Sequence, residues 1–271
     1  MVSYEPYEGA KTERMAADAA AITARYPDPR SALLPLLHLV QSEDGFVSPD
    51  GIAFCAATLG LTTAEVSAVA TFYSQYKRHP NGTYTVGVCT NTLCAIMGGD
   101  AIFDQLAEHL GVGHDETTAD GAITLERIEC NAACDYAPVM MINWEFFDEQ
   151  TPQSAVEIVD RLIAGQPVAP TRGASSVCTF KQMSRVLAGF GDGREDEGVG
   201  AGPATLAGVA LAREKGWTAP TATASDTASG AQDTPVAPEP GGEQSSVDTP
   251  SAPPSGGSAG TDSGRKASEE A

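Results

Sequence analysis

Four of the six cysteines lie in two closely spaced pairs, and this pattern constrains the chain more than any other feature. Cys89 and Cys94 are separated by four residues, and after a further 35 residues Cys130 and Cys134 are separated by three. The other two cysteines stand alone in the sequence. Because disulfides are rare in a reducing cytosol, we expect the paired thiols to bind a metal or to take part in redox chemistry.

The region before the first cysteine pair predicts a helical bundle, which we assign to residues 1–80. Apolar residues are densest between residues 33 and 40, where they can bury at least one helix face against neighbouring helices. Capping signals mark the predicted helix starts: Asp28-Pro29, Ser48-Pro49, and Thr62 with Glu65. We therefore expect three or four helices packed against one another.

Residues 81–170 predict an α/β domain that contains both cysteine pairs. Apolar residues alternate with small or polar ones from Tyr84 to Val88, which predicts a half-buried strand running directly into Cys89. Residues 123–129 predict a second strand that delivers Cys130. Both cysteine pairs are therefore expected where strands end.

The remainder of this domain predicts further strands and two flanking helices. The continuous apolar run 138–142 predicts a buried third strand, and Asn143 turns it into a short fourth strand. Residues at helical spacing follow Gly98-Gly99 and Pro152. The order of elements predicts a small mixed sheet with helices packed against it.

The C-terminal part has no continuous core pattern. Residues 171–217 carry scattered apolar side chains around a glycine-rich break, and we predict an arm that docks on a partner. Residues 218–271 are rich in Ala, Thr, Ser, Gly and Pro, and Val236 and Val247 are their only large aliphatic residues. Because such a segment cannot offset its ordering entropy by burial, we predict a disordered low-complexity tail.

The charge balance excludes several classes of partner. The chain has 16 Lys and Arg residues against 36 Asp and Glu residues, which gives a formal net charge of −20. Such a charge repels phosphate backbones and anionic lipid headgroups, so we expect a protein partner and no nucleic acid. We expect no membrane span, because no apolar stretch approaches the ~20 residues that one requires. The acidic opening residues lack the apolar segment of a secretory signal, which favours a bacterial cytoplasm.

The spacing of the paired cysteines favours one kind of metal site over another. Four thiolates from two strand ends suit either one tetrahedral zinc ion or the two irons of a 2Fe-2S cluster. Structural zinc sites usually have two-residue gaps within a pair, and neither pair has that gap. The longer gaps favour the cluster, with zinc and buried or disulfide-forming cysteines as alternatives. The absence of Cys-x-x-Cys from the sequence argues against a thiol–disulfide enzyme.

Short segments around the paired cysteines match a known family. They are Cys89-Thr-Asn-Thr-Leu-Cys94, Gly98-Gly99, Asp120-Gly121, Glu129-Cys130-Asn-Ala-Ala-Cys134 and Ala137-Pro138-Val139. Together with the helical lead-in, these segments resemble the thioredoxin-like 2Fe-2S subunit in the NADH-oxidising arm of respiratory complex I, which is the E subunit of NADH-quinone oxidoreductase. The similarity covers roughly residues 20–165. The family commonly has Leu-Gly-Ala between the second pair, where this chain has Asn131-Ala132-Ala133.

The resemblance implies a thioredoxin-like domain that carries one 2Fe-2S cluster. It implies that Cys89 and Cys94 hold one iron and that Cys130 and Cys134 hold the other. The implied role is that of an electron-transfer subunit of an NADH-quinone oxidoreductase, on the cytoplasmic side of the bacterial membrane. The equivalent subunit of an NAD-linked formate dehydrogenase or hydrogenase is an alternative, and a zinc-stabilised scaffold is an alternative of a different class.

The resemblance also implies that NADH and FMN bind to a flavoprotein partner. The segment Gly189-Phe-Gly-Asp-Gly193 is the nearest approach to a phosphate-binding loop in this sequence. Arg194 occupies the place of the third glycine, and no strand is predicted before it, so the dinucleotide fingerprint is not met. The chain alone is therefore expected to be an electron carrier and not a complete catalyst.

Overall fold

The region before the paired cysteines folds into helices, as its apolar pattern and capping signals predict. The computed structural model describes residues 7, 9–194, 197 and 200–218. The first four α-helices in this part of the chain are α1 (Gly9–Thr23), α2 (Leu33–Asp44), α3 (Pro49–Leu59) and α4 (Thr63–Phe72). Their shared core is centred on Met15, Ile22, Leu36, Leu37, Leu39 and Val40, none of which is exposed. The predicted helical bundle is therefore confirmed.

One of the predicted helix starts differs from the structure. Ser48 and Thr62 accept hydrogen bonds from N–H groups in the first turns of α3 and α4, as their positions predict. Asp28-Pro29 opens only a short 3-10 turn, and α2 begins later, at Leu33. The reason is Pro35, which lacks an N–H group and is tolerated only in the first turn of an α-helix.

Five strands form a mixed sheet after the bundle. They are β1 (Tyr84–Cys89), β2 (Glu116–Thr117), β3 (Ile123–Ile128), β4 (Met140–Ile142) and β5 (Glu145–Phe147). Their order is β2-β3-β1-β4-β5, in which β1 runs parallel to β3 and the other neighbours are antiparallel. β2 was not predicted because two residues are too few to show an alternating pattern. β4 begins at Met140, two residues later than the predicted apolar run.

One face of the sheet packs against two helices, α6 (Gly99–Leu110) and α7 (Pro152–Ile163). A short helix, α5 (Thr92–Ile96), precedes α6. The core between sheet and helices includes Val86, Val88, Ile102, Leu106, Leu125 and Val159. The opposite face contributes Thr85, Gly87 and Glu126 to a cavity of about 560 Å³. The end of α4 and the loop after it also line this cavity, through Ala70, Thr71 and residues 73–78.

The helical bundle and the sheet are joined by contacts distant in sequence. Lys77 and Glu126 form a buried ion pair between the loop after α4 and β3. Helix α8 (Phe180–Leu187) packs on α2, and the ring of Phe180 stacks on Trp144 with a centroid distance of 5.5 Å. Helix α9 (Pro203–Glu214) has no buried residue. The docking role of residues 171–217 stays a prediction.

The predicted low-complexity tail lies outside the described residues, apart from Thr218. Within the described part of the chain, no single helix is long and apolar enough to cross a membrane. Helices α3 and α4 meet the criterion of length and composition only when they are counted together, and the chain bends by 119° between them.

Candidate metal centre

Two parallel strands bring the cysteine pairs to one edge of the sheet. β1 ends at Cys89, which lies opposite Ile128 at the end of β3, and Cys130 follows two residues later. Neighbouring parallel strands end at the same edge, so the two ligand segments meet there. The short helix α5 carries Cys94, and a 3-10 turn at Cys134–Tyr136 carries Cys134.

All four predicted ligand cysteines line one pocket of about 310 Å³, which we call the thiol pocket. Its remaining lining residues are Asn91, Thr92, Leu93 and Ile96. The two isolated cysteines lie elsewhere. Cys55 is fully buried in the helical bundle, and Cys178 is half-buried just before α8. The structure therefore brings together the four cysteines that the sequence singled out and leaves the other two apart.

The thiols contact one another within their pairs. The Sγ atoms of Cys130 and Cys134 are 3.7 Å apart. Burial raises the pKa of the Cys94 thiol to about 11, and interaction with the Cys89 thiol adds to this rise. The pKa of Cys134 is raised chiefly by its hydrogen bond with the Cys130 thiol. The thiols therefore form two close pairs that face one pocket.

The two pairs differ in exposure. Cys89 and Cys94 are each 2% exposed, whereas Cys130 is exposed and Cys134 is half-buried. The chain around Cys94 leaves Leu93, Ile96 and Met97 largely exposed, with Ile96 at 78%. The thiol pocket is therefore closed on the side of β1 and open to the surface on the side of the second pair.

Close backbone packing holds the first pair. Gly99 begins α6 directly beside this pair, and a Cβ atom there would lie 2.4 Å from the carbonyl oxygen of Cys89 and 2.9 Å from that of Cys94. These distances are too short for any other residue without a backbone shift. Gly99 is therefore required by the approach of α6 to both cysteines, whereas Gly98 is favoured by its left-handed backbone, with φ of +113°.

An unusual backbone conformation marks the second pair. Ala132, which lies between Cys130 and Cys134, has φ of +54°. This left-handed region favours glycine, the residue that the resembling family commonly has there. The Ala132 N–H group donates a hydrogen bond to Cys130 Sγ at 3.4 Å. Ala132 therefore keeps the backbone conformation that favours glycine, although it has a Cβ atom.

The donor set fits a cluster held by two thiol pairs. Among the described residues, no group of three or more His, Cys, Asp or Glu side chains is placed to hold a single metal ion. Two pairs that share one pocket match two irons with two thiolates each, and the N–H group of Ala132 is directed at one of the sulfurs. The thiols of this pocket therefore fit a 2Fe-2S cluster.

The structure also shows a contact at the turn that carries Cys134, between two residues that the sequence did not single out. Tyr136 ends the 3-10 turn that carries Cys134. The guanidinium group of Arg172 lies 5.3 Å from the centroid of the Tyr136 ring and 4.1 Å from that of Phe146. No local pattern marks this contact, because Tyr136 and Arg172 are far apart in sequence and meet only in the folded chain.

Comparisons with known proteins agree with the predicted fold and family. Residues 19–163 match the model of the thioredoxin-like [2Fe-2S] ferredoxin family. The E subunit of NADH-quinone oxidoreductase from Mycobacterium tuberculosis is 66% identical over 208 residues, which are 76% of this chain and 82% of that protein.

Two more distant relatives match about half of the chain. Subunit 2 of NADH-quinone oxidoreductase from Thermus thermophilus is 38% identical over 144 residues, 52% of this chain and 78% of that protein. The E subunit from Pseudomonas aeruginosa is 34% identical over 138 residues, 51% of this chain and 83% of that protein. The chain therefore belongs to the thioredoxin-like [2Fe-2S] ferredoxin family, in the branch that includes the E subunit of NADH-quinone oxidoreductase. The cofactor of this family is a 2Fe-2S cluster, as the cysteine spacing favours.

Proposed function

We propose that the chain is the 2Fe-2S electron-transfer subunit of an NADH-quinone oxidoreductase, with Cys89, Cys94, Cys130 and Cys134 as the cluster ligands. The observation that carries this proposal is the thiol pocket, in which all four cysteines meet as two pairs. The names of the relatives favour this complex over a formate dehydrogenase or a hydrogenase.

The residues of this chain have separate roles at the proposed centre. A bound 2Fe-2S cluster supplies a reversible one-electron carrier whose negative charge grows on reduction. The Ala132 N–H group donates to one of the ligand sulfurs, and the N-terminus of α6 lies beside the first pair. Hydrogen bonds and helix N-termini of this kind stabilise negative charge. Burial of Cys89 and Cys94 keeps water from one side, and the exposed Cys130 leaves the other side open to a partner.

The ligand assignment is tested by reconstitution of the full chain with ferrous iron and sulfide. We expect a red-brown protein whose dithionite-reduced form gives an EPR signal, with two irons and two sulfides per chain. Single Cys→Ser changes at the four ligands should each lower the iron content, whereas Cys178→Ser, a change at a half-buried cysteine outside the pocket, should not. A colourless protein that binds one zinc would refute the cluster.

The partner in this proposal is a flavoprotein subunit that binds NADH and FMN. Two observations support the proposal that NADH and FMN bind to another chain. The Gly189–Gly193 segment follows helix α8 and not a strand, so it does not form a dinucleotide-binding turn. The family relatives are named as subunits of a larger oxidoreductase. We expect NADH to reduce the cluster of the reconstituted chain only after the flavoprotein is added, as followed by EPR.

The proposal includes a peripheral position on the cytoplasmic side of the bacterial membrane and a docking role for residues 171–217. Helix α9 supports the docking role, because Leu206, Val209 and Leu211 are all exposed. Deletion of residues 200–271 should weaken co-purification with the flavoprotein, and deletion of 219–271 should not. Equal co-purification of the two truncated proteins would show that α9 has no such role.

A further inference from the structure

The N-terminus of α9 is capped by a residue next to a proposed cluster ligand. Gly202 occupies the N-cap position and has no side chain to accept a hydrogen bond from the first turn. The Ala204 N–H group instead donates to the hydroxyl of Tyr136 at 3.0 Å. Unpaired N–H groups in the first turn of a helix require such an acceptor. Tyr136 lies two residues after Cys134, so α9 begins on the turn that carries this cysteine.

A glycine permits this contact. A Cβ atom on Gly202 would lie 2.3 Å from the Tyr136 hydroxyl oxygen and 2.7 Å from the ring carbon that bears it. The φ of Gly202 is −81°, which any residue adopts. Gly202 is therefore needed for the approach to Tyr136 and not for its own backbone conformation. Next to it, the Thr205 hydroxyl donates to Asp135 Oδ2 at 2.8 Å, which adds a second contact with the same turn.

Arg172 holds the Tyr136 ring from another direction. Its guanidinium group contacts the rings of Tyr136 and Phe146, and its Nη2 donates to Asp148 Oδ1 at 3.1 Å. Both side chains of this ion pair are close to buried, at 12% and 10% exposure. Arg172 Nη1 donates to the carbonyl oxygen of Gly200 at 2.6 Å, just before α9. Arg172 thus links the end of β5, the Tyr136 ring and the chain leading into α9.

The second thiol pair is the more exposed part of the site, although Ala133, between its two cysteines, is buried beside Cys89 and Val139. The first pair is buried against α6, whereas Cys130 is exposed. The turn after Cys130 contains Ala132, whose backbone is in the left-handed region. The contacts described above add support from Arg172 and residues 200–205, which lie outside the matched family domain that ends at residue 163. The match to the Mycobacterium tuberculosis relative covers 76% of this chain, so it extends past that residue wherever it begins.

We propose that Tyr136, Arg172 and the segment Gly202–Thr205 form a clip that positions the Cys130–Cys134 turn for cluster binding. These are positioning residues, and the inference rests on the proposed function of the four cysteines. The clip restrains the turn at its C-terminal end, next to Cys134. Loss of the clip should let the turn open more often and should release the cluster faster.

A matched pair of glycine substitutions in the full chain tests the clip. Gly202→Ala places a Cβ atom against Tyr136, whereas Gly208→Ala, on the same helix, places one in open space. We expect Gly202→Ala to speed the loss of visible absorbance in chelator by about fivefold, the factor by which loss of one helix cap shifts an opening equilibrium. Gly208→Ala, which favours the helix, should lose its cluster no faster than the wild-type chain, and the EPR spectrum should change only in Gly202→Ala.

Hydrogen exchange of the metal-free chain gives a second readout that needs no cluster. We expect faster exchange at residues 130–136 in Gly202→Ala and unchanged exchange in β1, with an unchanged thermal midpoint by circular dichroism. Tyr136→Phe, which keeps the ring and loses the acceptor, should have the same local effect. Equal exchange and equal cluster loss in Gly202→Ala and Gly208→Ala would overturn the clip. A wild-type chain that forms no cluster would overturn the proposed function, and hydrogen exchange would still decide whether the clip restrains the turn.

Discussion

At the scale of single residues, some backbone conformations and some buried side chains lower the stability of the folded chain. Ala132 adopts a left-handed backbone conformation, which costs a residue with a Cβ atom about 1–2 kcal/mol. The conformation directs its N–H group at Cys130 Sγ. A strained torsion persists only where the surrounding structure holds it, and here the contact lies at a proposed ligand. The strained conformation of Ala132 therefore lies at the turn that is proposed to bind the cluster.

Replacement of Ala132 by glycine should relieve this strain. We expect Ala132→Gly to raise the free energy of unfolding by about 1 kcal/mol, because relief of strain outweighs the added entropy of the unfolded chain. Urea unfolding of the metal-free chain measures the change. Ala133→Gly is the control, because Ala133 has a φ of −107° and should lose stability instead. The prediction fails if the two glycine variants are destabilised alike.

His38 is a buried titratable residue far from the thiol pocket. Its ring lies 5.0 Å from that of Tyr76 and 6.3 Å from that of Trp144. Burial lowers the pKa of His38 from 6.5 to about 4. The unfolded chain therefore takes up a proton below pH 6.5 that the folded chain does not take up until about pH 4, so the folded state loses stability as the pH falls through this window.

His38→Phe should remove this contribution to the pH dependence. Between about pH 7 and pH 5, we expect the wild-type chain to lose about 2 kcal/mol more unfolding free energy than the variant. Urea unfolding of both metal-free proteins at the two pH values measures the difference. Parallel pH dependence in the two proteins would show that His38 takes up its proton equally in the folded and unfolded chains.

At the scale of elements, the parallel pairing of β1 with β3 assembles the candidate site. The pairing sets the ends of both strands at one edge, and α6 then returns from that edge across the sheet. Gly99 lies where α6 begins and where its backbone approaches the carbonyl groups of Cys89 and Cys94. The position of the first cysteine pair therefore depends on how closely one helix can approach one strand end.

Gly99→Ala should disturb this approach. A Cβ atom at 2.4 Å from a carbonyl oxygen forces the backbone to shift, which we expect to cost about 3 kcal/mol of unfolding free energy. The cluster content after reconstitution should fall with it. Gly113→Ala is the control, because a Cβ atom there meets only the Glu116 carboxylate at ordinary contact distance. Wild-type iron content in Gly99→Ala would contradict the prediction.

At the scale of the whole molecule, a buried ion pair joins the helical bundle to the sheet. Lys77 follows α4, Glu126 lies in β3, and their side chains are only 9% and 11% exposed. Lys77 Nζ also donates to the carbonyl oxygen of Ser74 at 3.2 Å. A buried charge that loses its partner is costly, whereas removal of both charges is often neutral.

A double-mutant cycle at this pair tests its role. We expect Lys77→Met alone to lower the free energy of unfolding by about 3 kcal/mol, because it leaves the Glu126 carboxylate buried without a partner. Lys77→Met combined with Glu126→Leu should recover most of the loss. Urea unfolding of the single and double variants measures the coupling. Additive losses would mean that the two side chains do not stabilise the molecule as a pair.

Several features could be predicted because neighbouring residues encode them. Helix caps at Ser48 and Thr62 are set by side chains within one turn of the N–H groups they bind. The alternation that ends at Cys89 and the gaps within each cysteine pair are likewise properties of short contiguous segments. The sequence also placed both cysteine pairs at strand ends, whereas the parallel pairing of β1 with β3 that brings these ends to one edge was not predicted. The helical bundle, the α/β domain and the choice of four candidate thiols followed from these signals, and the thioredoxin-like fold followed from the family resemblance.

Other features depend on residues that meet only when the chain folds. The packing of α8 on α2, the Lys77–Glu126 pair and the contact of Arg172 with Tyr136 join segments that are distant in sequence. The sequence by itself determined which segments form the main helices and strands and which thiols are candidate ligands, because both depend on the pattern and spacing of neighbouring residues. Only the tertiary structure decided which surfaces support the ligand turn, because such contacts depend on how whole elements pack.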